Sequence, residues 1–359
     1  MKRILITGSG GSPAVNFTRS LREAPEDFYL VGTDADKYYL MRAETNARYL
    51  VPTVKDPQYL SVINYIIEKE KIEFVHAQND VEVNFLSENR EKLKAKTLFP
   101  AKGTVRVCQD KFLSFEKWEA AGIKVPKTMI IKSKADLEKA FDELGGKAWI
   151  RATSGAGGRG SLPVYDIATA ENWLDFQKGW DGTFTASELL EKDTITWMSI
   201  WHDGELVVAQ GRRRLYWELS KISPSGVTGA TGGGETVTDP VLDDIAQRAV
   251  RAIDDKPNGI FAVDLTYDKN GVPNPTEINI GRFFTTHLFF TAIGLNMPYI
   301  FVRLAYGEKL PPIKKKLNPA PDHMVWIRGM DFEPVLSPMA DIDKNVTSLD
   351  ALKKELKKK

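Results

Sequence analysis

Through roughly the first third of the chain, short apolar runs alternate with longer stretches of helical period. "RILITG", "YLVGTD" and "EFVHAQ" read as buried strands that stop at glycine or polar residues. "PAVNFTRSL", "QYLSVINYIIEKEK" and "VEVNFLSENREKL" between them carry their apolar positions on one helical face. Strand and helix in turn predict a small parallel sheet covered on both faces. Near residue 110 the texture changes. "FLSFEKWEAAG" is an amphipathic helix stopped by Gly122, "IKVPKTMII" is extended, and "KADLEKAFDELGG" is a helix with a glycine C-cap. Strands predominate from Lys147: "KAWIRA", "SLPVY", "FTASELL" and "TITWMSIWHDGELVVAQG", the last with Asp203-Gly204 as a type I′ hairpin signal. "DPVLDDIAQRAVRAID" is helical, and "GIFAVDLTYDKNGVPNPTEINI" predicts two strands turning around Asn270-Gly271.

Composition narrows the class. At 359 residues, with 42% hydrophobic and 27% charged positions, the chain suits about two or three units with real cores. A formal net charge of +1 supplies no global field for nucleic acid or membrane. The single cysteine, Cys108, excludes an internal disulfide framework and suits a reducing cytoplasm. With only four histidines, a histidine-based metal cluster is not expected either. "MKRILITGSGG" ends its apolar run in a glycine turn, so it reads as a first strand and not a signal peptide. "HLFFTAIGLNMPYIFVRLAYG" is interrupted by Asn296, Pro298 and Arg303, and reads as a buried helix and its continuation, not a membrane span. The lysine-rich "LDALKKELKKK" reads as a solvated terminal helix.

Two glycine-rich stretches could carry chemistry. "ITGSGGSPA", with glycines at 8 and 11, Ala14 opening a helix and Asp34 closing the next strand, approaches the dinucleotide fingerprint. Glycine at a strand-to-helix turn and Pro13 at the helix start are explained by geometry alone. The Tyr65/Lys69 pair lies inside an amphipathic helix, where chance spacing accounts for it. A nicotinamide cofactor is therefore the lesser reading. In "RATSGAGGRGS", Arg151 to Ser161, four glycines fall within six positions and join two strands. Such a loop, with a cation at its root, folds over polyphosphate as a lid: backbone N–H groups reach the oxygens and the guanidinium neutralises charge.

A second constellation lies in "FAVDLTYDKNGVPNPTEINIGR". Asp264 and Glu277 are equidistant from the Asn270-Gly271 turn, so a regular hairpin makes them cross-strand neighbours, about 4.5–5.5 Å apart at Cβ. Asn279, two residues on, leaves the same strand face as Glu277. Two carboxylates and an amide oxygen form a set for a hard cation, magnesium before manganese. Pro273 and Pro275 could disturb the register. The alternative is an exposed acidic hairpin, against which the apolar "GIFAV" and "INI" argue.

A glycine-loop lid ahead of an Asp…Glu-x-Asn strand pair resembles the ATP-grasp ligases, and most closely a single unit similar to the carbamoyl-phosphate synthase large subunit. The resemblance covers most of the chain. It implies an α/β Rossmann-like pre-ATP-grasp domain with a parallel sheet over residues 1–105. An α+β ATP-grasp domain would follow as two subdomains, 106–190 with the glycine lid and 191–312 with the metal-binding strands, and then a C-terminal extension, 313–359. It also implies an ATP- and Mg²⁺-dependent ligase acting through an acyl-phosphate on small carboxylate and amine substrates.

Carried over by position, Lys111 and Arg151 would hold phosphates, and Ser154, Gly155, Gly157, Gly158, Gly160 and Ser161 would form the lid. Glu188, Leu189 and Leu190 of "SELL" would meet the base, with Asp193 near the ribose. Asp264, Glu277 and Asn279 would ligate Mg²⁺, or Mn²⁺ in its place. Arg282 would steady the transferred phosphoryl group, although "EINIGR" has one residue more than the family's Glu-x-Asn-Pro-Arg and lacks its proline. With one such unit, carbamoyl phosphate synthesis itself is not expected, and a biotin-carboxylase role has no independent support.

Substrate recognition is fainter. Of Arg212, Arg213 and Arg214 in "GRRRLYW", at least one is expected to face the cleft as an anchor for a carboxylate or phosphate, Arg213 first, ahead of what reads as a long glycine-rich loop to "GGGETV". His76, Asn79 and Asp80 close the third predicted strand, where open α/β sheets present ligands, although capping of the next helix explains Asn79 or Asp80 equally. Trp197 and Trp201 read as core. The rival functions are an NAD(P)-dependent dehydrogenase or epimerase using the first glycine turn, and a non-catalytic ATP-binding regulator. No nucleic-acid or membrane partner is expected, and a homodimer is one option for the assembly.

Overall fold

The computed structural model describes residues 1–155 and 157–358. Three sheets organise it. The first is β3-β2-β1-β4, wholly parallel, from β1 (Lys2–Thr7), β2 (Phe28–Asp34), β3 (Ala47–Leu50) and β4 (Phe74–Ala77). Alternation along the strands divides its apolar residues. Ile4, Ile6 and Leu30 pack with Phe17 and Leu21 of α1 (Ser12–Arg22). Leu5, Val31 and Val75 pack with Val62, Ile63 and Ile66 of α3 (Tyr59–Glu70) and with Val83 and Leu86 of α4 (Asp80–Glu88). The expected parallel sheet with helices on both faces is what the chain builds. The strand β3 and the short α2 (Lys37–Leu40) went unread because "ARYL" is brief and half-exposed.

α5 (Lys102–Gln109) and α6 (Lys111–Ala120) lead into the second sheet, β5-β8-β6-β7. It comprises β5 (Thr128–Ile131), β6 (Ala148–Ala152), β7 (Leu162–Val164) and β8 (Phe184–Ser187), covered by α7 (Lys134–Leu144) and α8 (Ile167–Gln177). Ser133 caps α7, and Gly145 closes it at φ 73°, a left-handed conformation that glycine adopts without a Cβ penalty.

The third sheet is antiparallel and six-stranded, β13-β12-β9-β10-β11-β14. Its members are β9 (Thr194–His202), β10 (Glu205–Trp217), β11 (Thr231–Val237), β12 (Gly259–Tyr267), β13 (Pro273–Ile280) and β14 (Val325–Ile327). Asp203 and Gly204 both have positive φ, 49° and 87°, as the type I′ turn requires. One face packs on α9 (Pro240–Ile253) and α6 through Trp118, Trp197, Val263 and Leu242. The other packs, at one end, on α10 (Leu288–Ala292) and α11 (Met297–Ala305), where Met198, Ile200 and Ile260 meet Phe283, Phe289 and Phe301. The apolar window at 287–307 is thus two buried helices broken at Gly294, with Asn296 capping the second. No helix among the described residues is long and apolar enough to cross a membrane.

Two expectations change. "TGGGETV" is not loop but β11. A Cβ on Gly232 or Gly233 would stand 2.1 or 2.6 Å from the Tyr216 ring, and one on Gly234 would stand 2.8 Å from Arg212 Cδ. The glycines therefore let two large side chains of β10 lie across the neighbouring strand. The lysine-rich terminal helix is α12 (Met339–Leu356), and it is not wholly solvated. It buries Leu352, and Lys353 and Glu355 reach Asp56 and Tyr65 of the first unit.

Candidate active site

Asp264 and Glu277 stand directly opposite each other, as the turn-centred count requires. The prolines do disturb the ladder, but only beyond this pair: Leu265 faces Pro275, leaving Thr276 as the extra residue of a bulge. The row continues across the sheet. Asp264 faces Thr196 of β9, which faces Arg212 of β10, which faces Thr236 of β11. These side chains share one face, because directly opposed residues of antiparallel strands do. Thr196 donates to Asp264 Oδ1 at 2.5 Å, Arg212 donates to Thr196 Oγ1 at 2.6 Å, and Arg214 Nη2 lies 3.5 Å from Asp264 Oδ1.

The other end of the row collects cations from three other elements. Arg151, at the end of β6, pairs with Glu277 Oε2 at 2.7 Å, and Lys111, at the start of α6, approaches the same oxygen at 3.5 Å. Arg282 grips Asp80 with two bonds, 2.5 and 3.0 Å, and donates to Asn279 Oδ1 at 2.6 Å. Asn279 in turn donates to Asp264 Oδ2 at 3.1 Å. Lys111, Arg151, Arg212, Arg214 and Arg282 thus gather around three carboxylates, Asp80, Asp264 and Glu277, and leave positive charge in excess. That is the balance of a site for an anion.

The carboxylates respond in opposite directions. Burial would raise Glu277, but Lys111, Arg151 and Arg282 outweigh it and hold it down at about 2. Burial raises Asp264, and the neighbouring Glu277 raises it further against the pull of Arg214. Two opposed carboxylates and an amide oxygen are hard donors, and the residual repulsion between the acids is what a divalent cation relieves. The set therefore fits magnesium. Among the described residues no three His, Cys, Asp or Glu side chains are grouped for a metal; beside the two acids stands Asn279, whose amide oxygen accepts from Arg282.

The glycine loop begins where β6 ends. Gly155, Gly157, Gly158 and Gly160 all have left-handed φ, between 70° and 102°; Ala156 among them lies outside the described residues. Lys111 donates to Gly155 O at 2.7 Å, tying the loop root to the cation cluster. At its far side the loop packs on the third sheet's connecting segment, where a Cβ on Gly158 would stand 2.7 Å from Val227 O. Ser154 is exposed and Ser161 buried. Glu188, Leu189 and Leu190 lie in the irregular connection from β8 to β9, anchored by Glu188 N–H on Lys127 O. Asp193 closes that connection and pairs with Arg213 at 3.2 Å.

Arg213 is not brought to the cluster. A bulge at Val207 shifts β10 by one residue against β9, so Arg212 and Arg214 face Thr196 and Arg213 faces away. Without that extra residue the count from the Asp203-Gly204 turn would put Arg213 on the Thr196 face. His76 is not presented to ligand: it is 1% exposed and stacked on Phe17 at 4.4 Å, and burial pushes its pKa down to about 3. Asn79 caps α4 by accepting from Glu82 N–H, and Asp80 is the partner of Arg282. The first glycine turn has its donors in use. Ser9, Gly10 and Gly11 N–H bond to Thr33 O, Asp34 Oδ2 and Gly8 O, and a Cβ on Gly10 would stand 2.0 Å from Tyr39 O. Cys108 is buried, and burial pushes its thiol up.

A family model for the PylC-like N-terminal domain matches residues 4–99. Among solved structures the chain is similar to biotin carboxylase in its β,γ-ATP complex from Campylobacter jejuni (19% identity, 87% of this chain and 72% of that one, TM-score 0.67). It is similar to the biotin carboxylase domain of Hydrogenobacter thermophilus 2-oxoglutarate carboxylase, a dimer with MgADP, ADP and bicarbonate (16%, 90% and 73%, TM-score 0.67). It is also similar to L-amino acid ligase from Bacillus licheniformis (15%, 87% and 78%, TM-score 0.67). The chain has the ATP-grasp fold behind a PylC-like N-terminal domain, so the resemblance read from the sequence holds for the fold.

Proposed function

We propose that this protein is an ATP- and Mg²⁺-dependent ligase that joins a small carboxylate to an amine. The observation that carries the reading is the cation-rich cluster around Asp264, Glu277 and Asn279, on the face of a sheet in the ATP-grasp fold. Mg²⁺, held by Asp264, Glu277 and Asn279, would neutralise phosphate oxygens and polarise the transferred group. Lys111 and Arg151 exchange Glu277 for nucleotide phosphate when ATP enters. The glycine loop closes over it and excludes water, which would otherwise hydrolyse the intermediate. Glu188 to Leu190 meet the base, and Asp193 the ribose.

A carboxylate oxygen takes the γ-phosphoryl group as its bond to ADP breaks. Arg282 and Arg214 stand on the developing charge, and catalysis is mostly positioning and neutralisation. The amine nitrogen then forms its bond to the acyl carbon, phosphate leaves, and the nitrogen loses a proton. The products are amide, ADP and phosphate.

The dehydrogenase reading lacks a phosphate cradle, because the first glycine turn's N–H groups are already bonded internally. Titration calorimetry with Mg²⁺-ATP and with NAD(H), followed by hydroxylamine trapping across a panel of carboxylates, tests the proposal. Mg²⁺-ATP binding with hydroxamate formation supports it. Mg²⁺-ATP binding without turnover of any carboxylate supports the regulator instead, and binding of NAD(H) alone overturns both.

A further inference from the structure

One amide in the charged cluster is turned against the metal set to which it belongs. Asn279 points its nitrogen at Asp264, donating to Oδ2 at 3.1 Å, and its oxygen at Arg282, accepting from Nη2 at 2.6 Å. A cation shared by Asp264 and Asn279 needs the reverse, with the amide oxygen on the carboxylate's side. Nor can the guanidinium stay beside that oxygen. An ion at the magnesium–oxygen distance of about 2.1 Å would lie within about 5 Å of Nη2, a dication against an enclosed monocation. Cation entry therefore separates Arg282 from Asn279.

Arg282 then needs another anchor, because its side chain is only 13% exposed and an enclosed guanidinium without a partner is costly. The first unit supplies one. Asp80, in the first turn of α4, accepts from Nε and Nη2 of Arg282 at 2.5 and 3.0 Å, and is its one ion-pair partner among the described residues. Nη2 also makes the bond to Asn279, so letting go of the amide leaves the two-pronged grip on Asp80 intact. Asp80 is itself fixed. Gln109 donates to its backbone oxygen at 2.7 Å, and close by Gln78 Oε1 accepts from Phe283 N–H at 3.1 Å, so the two segments are joined at a second point. Gly281 allows this approach: it has φ 72°, and a Cβ there would stand 2.9 Å from Val83 Cγ1 on α4.

We infer that Asp80 is a positioning residue for the phosphoryl-transfer site, keeping Arg282 beside the metal set when Asn279 gives its oxygen to the cation. The inference rests on the ligase reading above and gives the first unit a part in metal binding. Asp80 acts through Arg282 and does not itself ligate the metal.

Calorimetric titration of the full chain with ATP, once with excess Mg²⁺ and once with EDTA, tests it; the ratio of the two affinities is the metal's share. Asp80→Asn should lower that ratio about tenfold without weakening ATP binding in EDTA. In an Arg282→Gln background the same change should leave the ratio where it was, since no guanidinium remains to be stranded. Equal loss of ATP affinity with and without metal makes Asp80 merely structural. The same fall of the ratio in both backgrounds makes it a plain charge, and an unchanged ratio removes it from the site. Each of these overturns the inference and leaves the ligase reading standing. Urea unfolding reports that the variants fold; if Arg282→Gln does not, the split between Mg²⁺ and EDTA in Asp80→Asn decides alone. Absent Mg²⁺-ATP binding in the unaltered protein sinks the ligase reading, and this inference with it.

Discussion

The two glycine-rich turns of this chain look alike in one dimension and differ in what surrounds them. The first, at Gly8 to Gly11, is closed on itself: its N–H groups are bonded to Thr33, Asp34 and Gly8, and the Tyr39 backbone sits where a Gly10 side chain would go. The second, at Gly155 to Gly160, has its glycines in left-handed conformations, has open space at Gly155, and is rooted between Lys111 and Arg151. Glycine at position 10 permits close packing; glycine at position 155 faces open space. Counting glycines cannot separate the two, whereas asking where each N–H group goes does.

That contrast can be broken by substitution, and the largest effect belongs to the closed turn. Gly10→Ala should cost about 3 kcal/mol of stability in denaturant unfolding, because its Cβ meets a backbone carbonyl that cannot swing aside. Glu277→Ala, across from the open loop's root, should weaken Mg²⁺-ATP binding about 100-fold by calorimetry, near 2.7 kcal/mol. Stability unaffected in the first variant, or ATP binding unaffected in the second, would erase the distinction.

Protonation sharpens the same comparison at the first sheet. His76 is buried neutral, with a pKa of about 3 against an ordinary 6.5. Between those values the unfolded chain binds the proton and the folded chain does not, so stability rises with pH there. The contribution is complete above pH 6.5 and is lost as pH falls towards 3. His76→Phe should flatten the stability–pH slope in that window by about 1.4 kcal/mol per pH unit, measured by urea unfolding at several pH values. The smallest effect is at the open loop. Gly155→Ala meets no atom but must adopt φ 102°, and should cost about 1 kcal/mol, seen as a modest loss of ATP affinity.

The legible parts of the site were those governed by local symmetry. Asp264 and Glu277 could be paired from the sequence because a single turn lies midway between them and the ladder stays regular up to their pair. Of Arg212, Arg213 and Arg214, all legible as candidates, Arg213 was preferred, but one extra residue at Val207 reverses which face each arginine occupies. No composition signal marks such a bulge. "TGGGETV" was hidden for a related reason: its glycines answer to Tyr216 and Arg212 on another strand, while locally they look like a flexible connection.

The last helix has a bearing on how the molecule is made. α12 docks beside β3, the outer strand of the first sheet, and is fastened by Lys353 to Asp56, Asp343 to Lys37 and Glu355 to Tyr65. A ribosome releases β3 long before it releases α12, so the nascent first sheet carries an open hydrogen-bonding edge through most of translation. Chaperone occupancy on stalled nascent chains should therefore persist until α12 has cleared the exit tunnel.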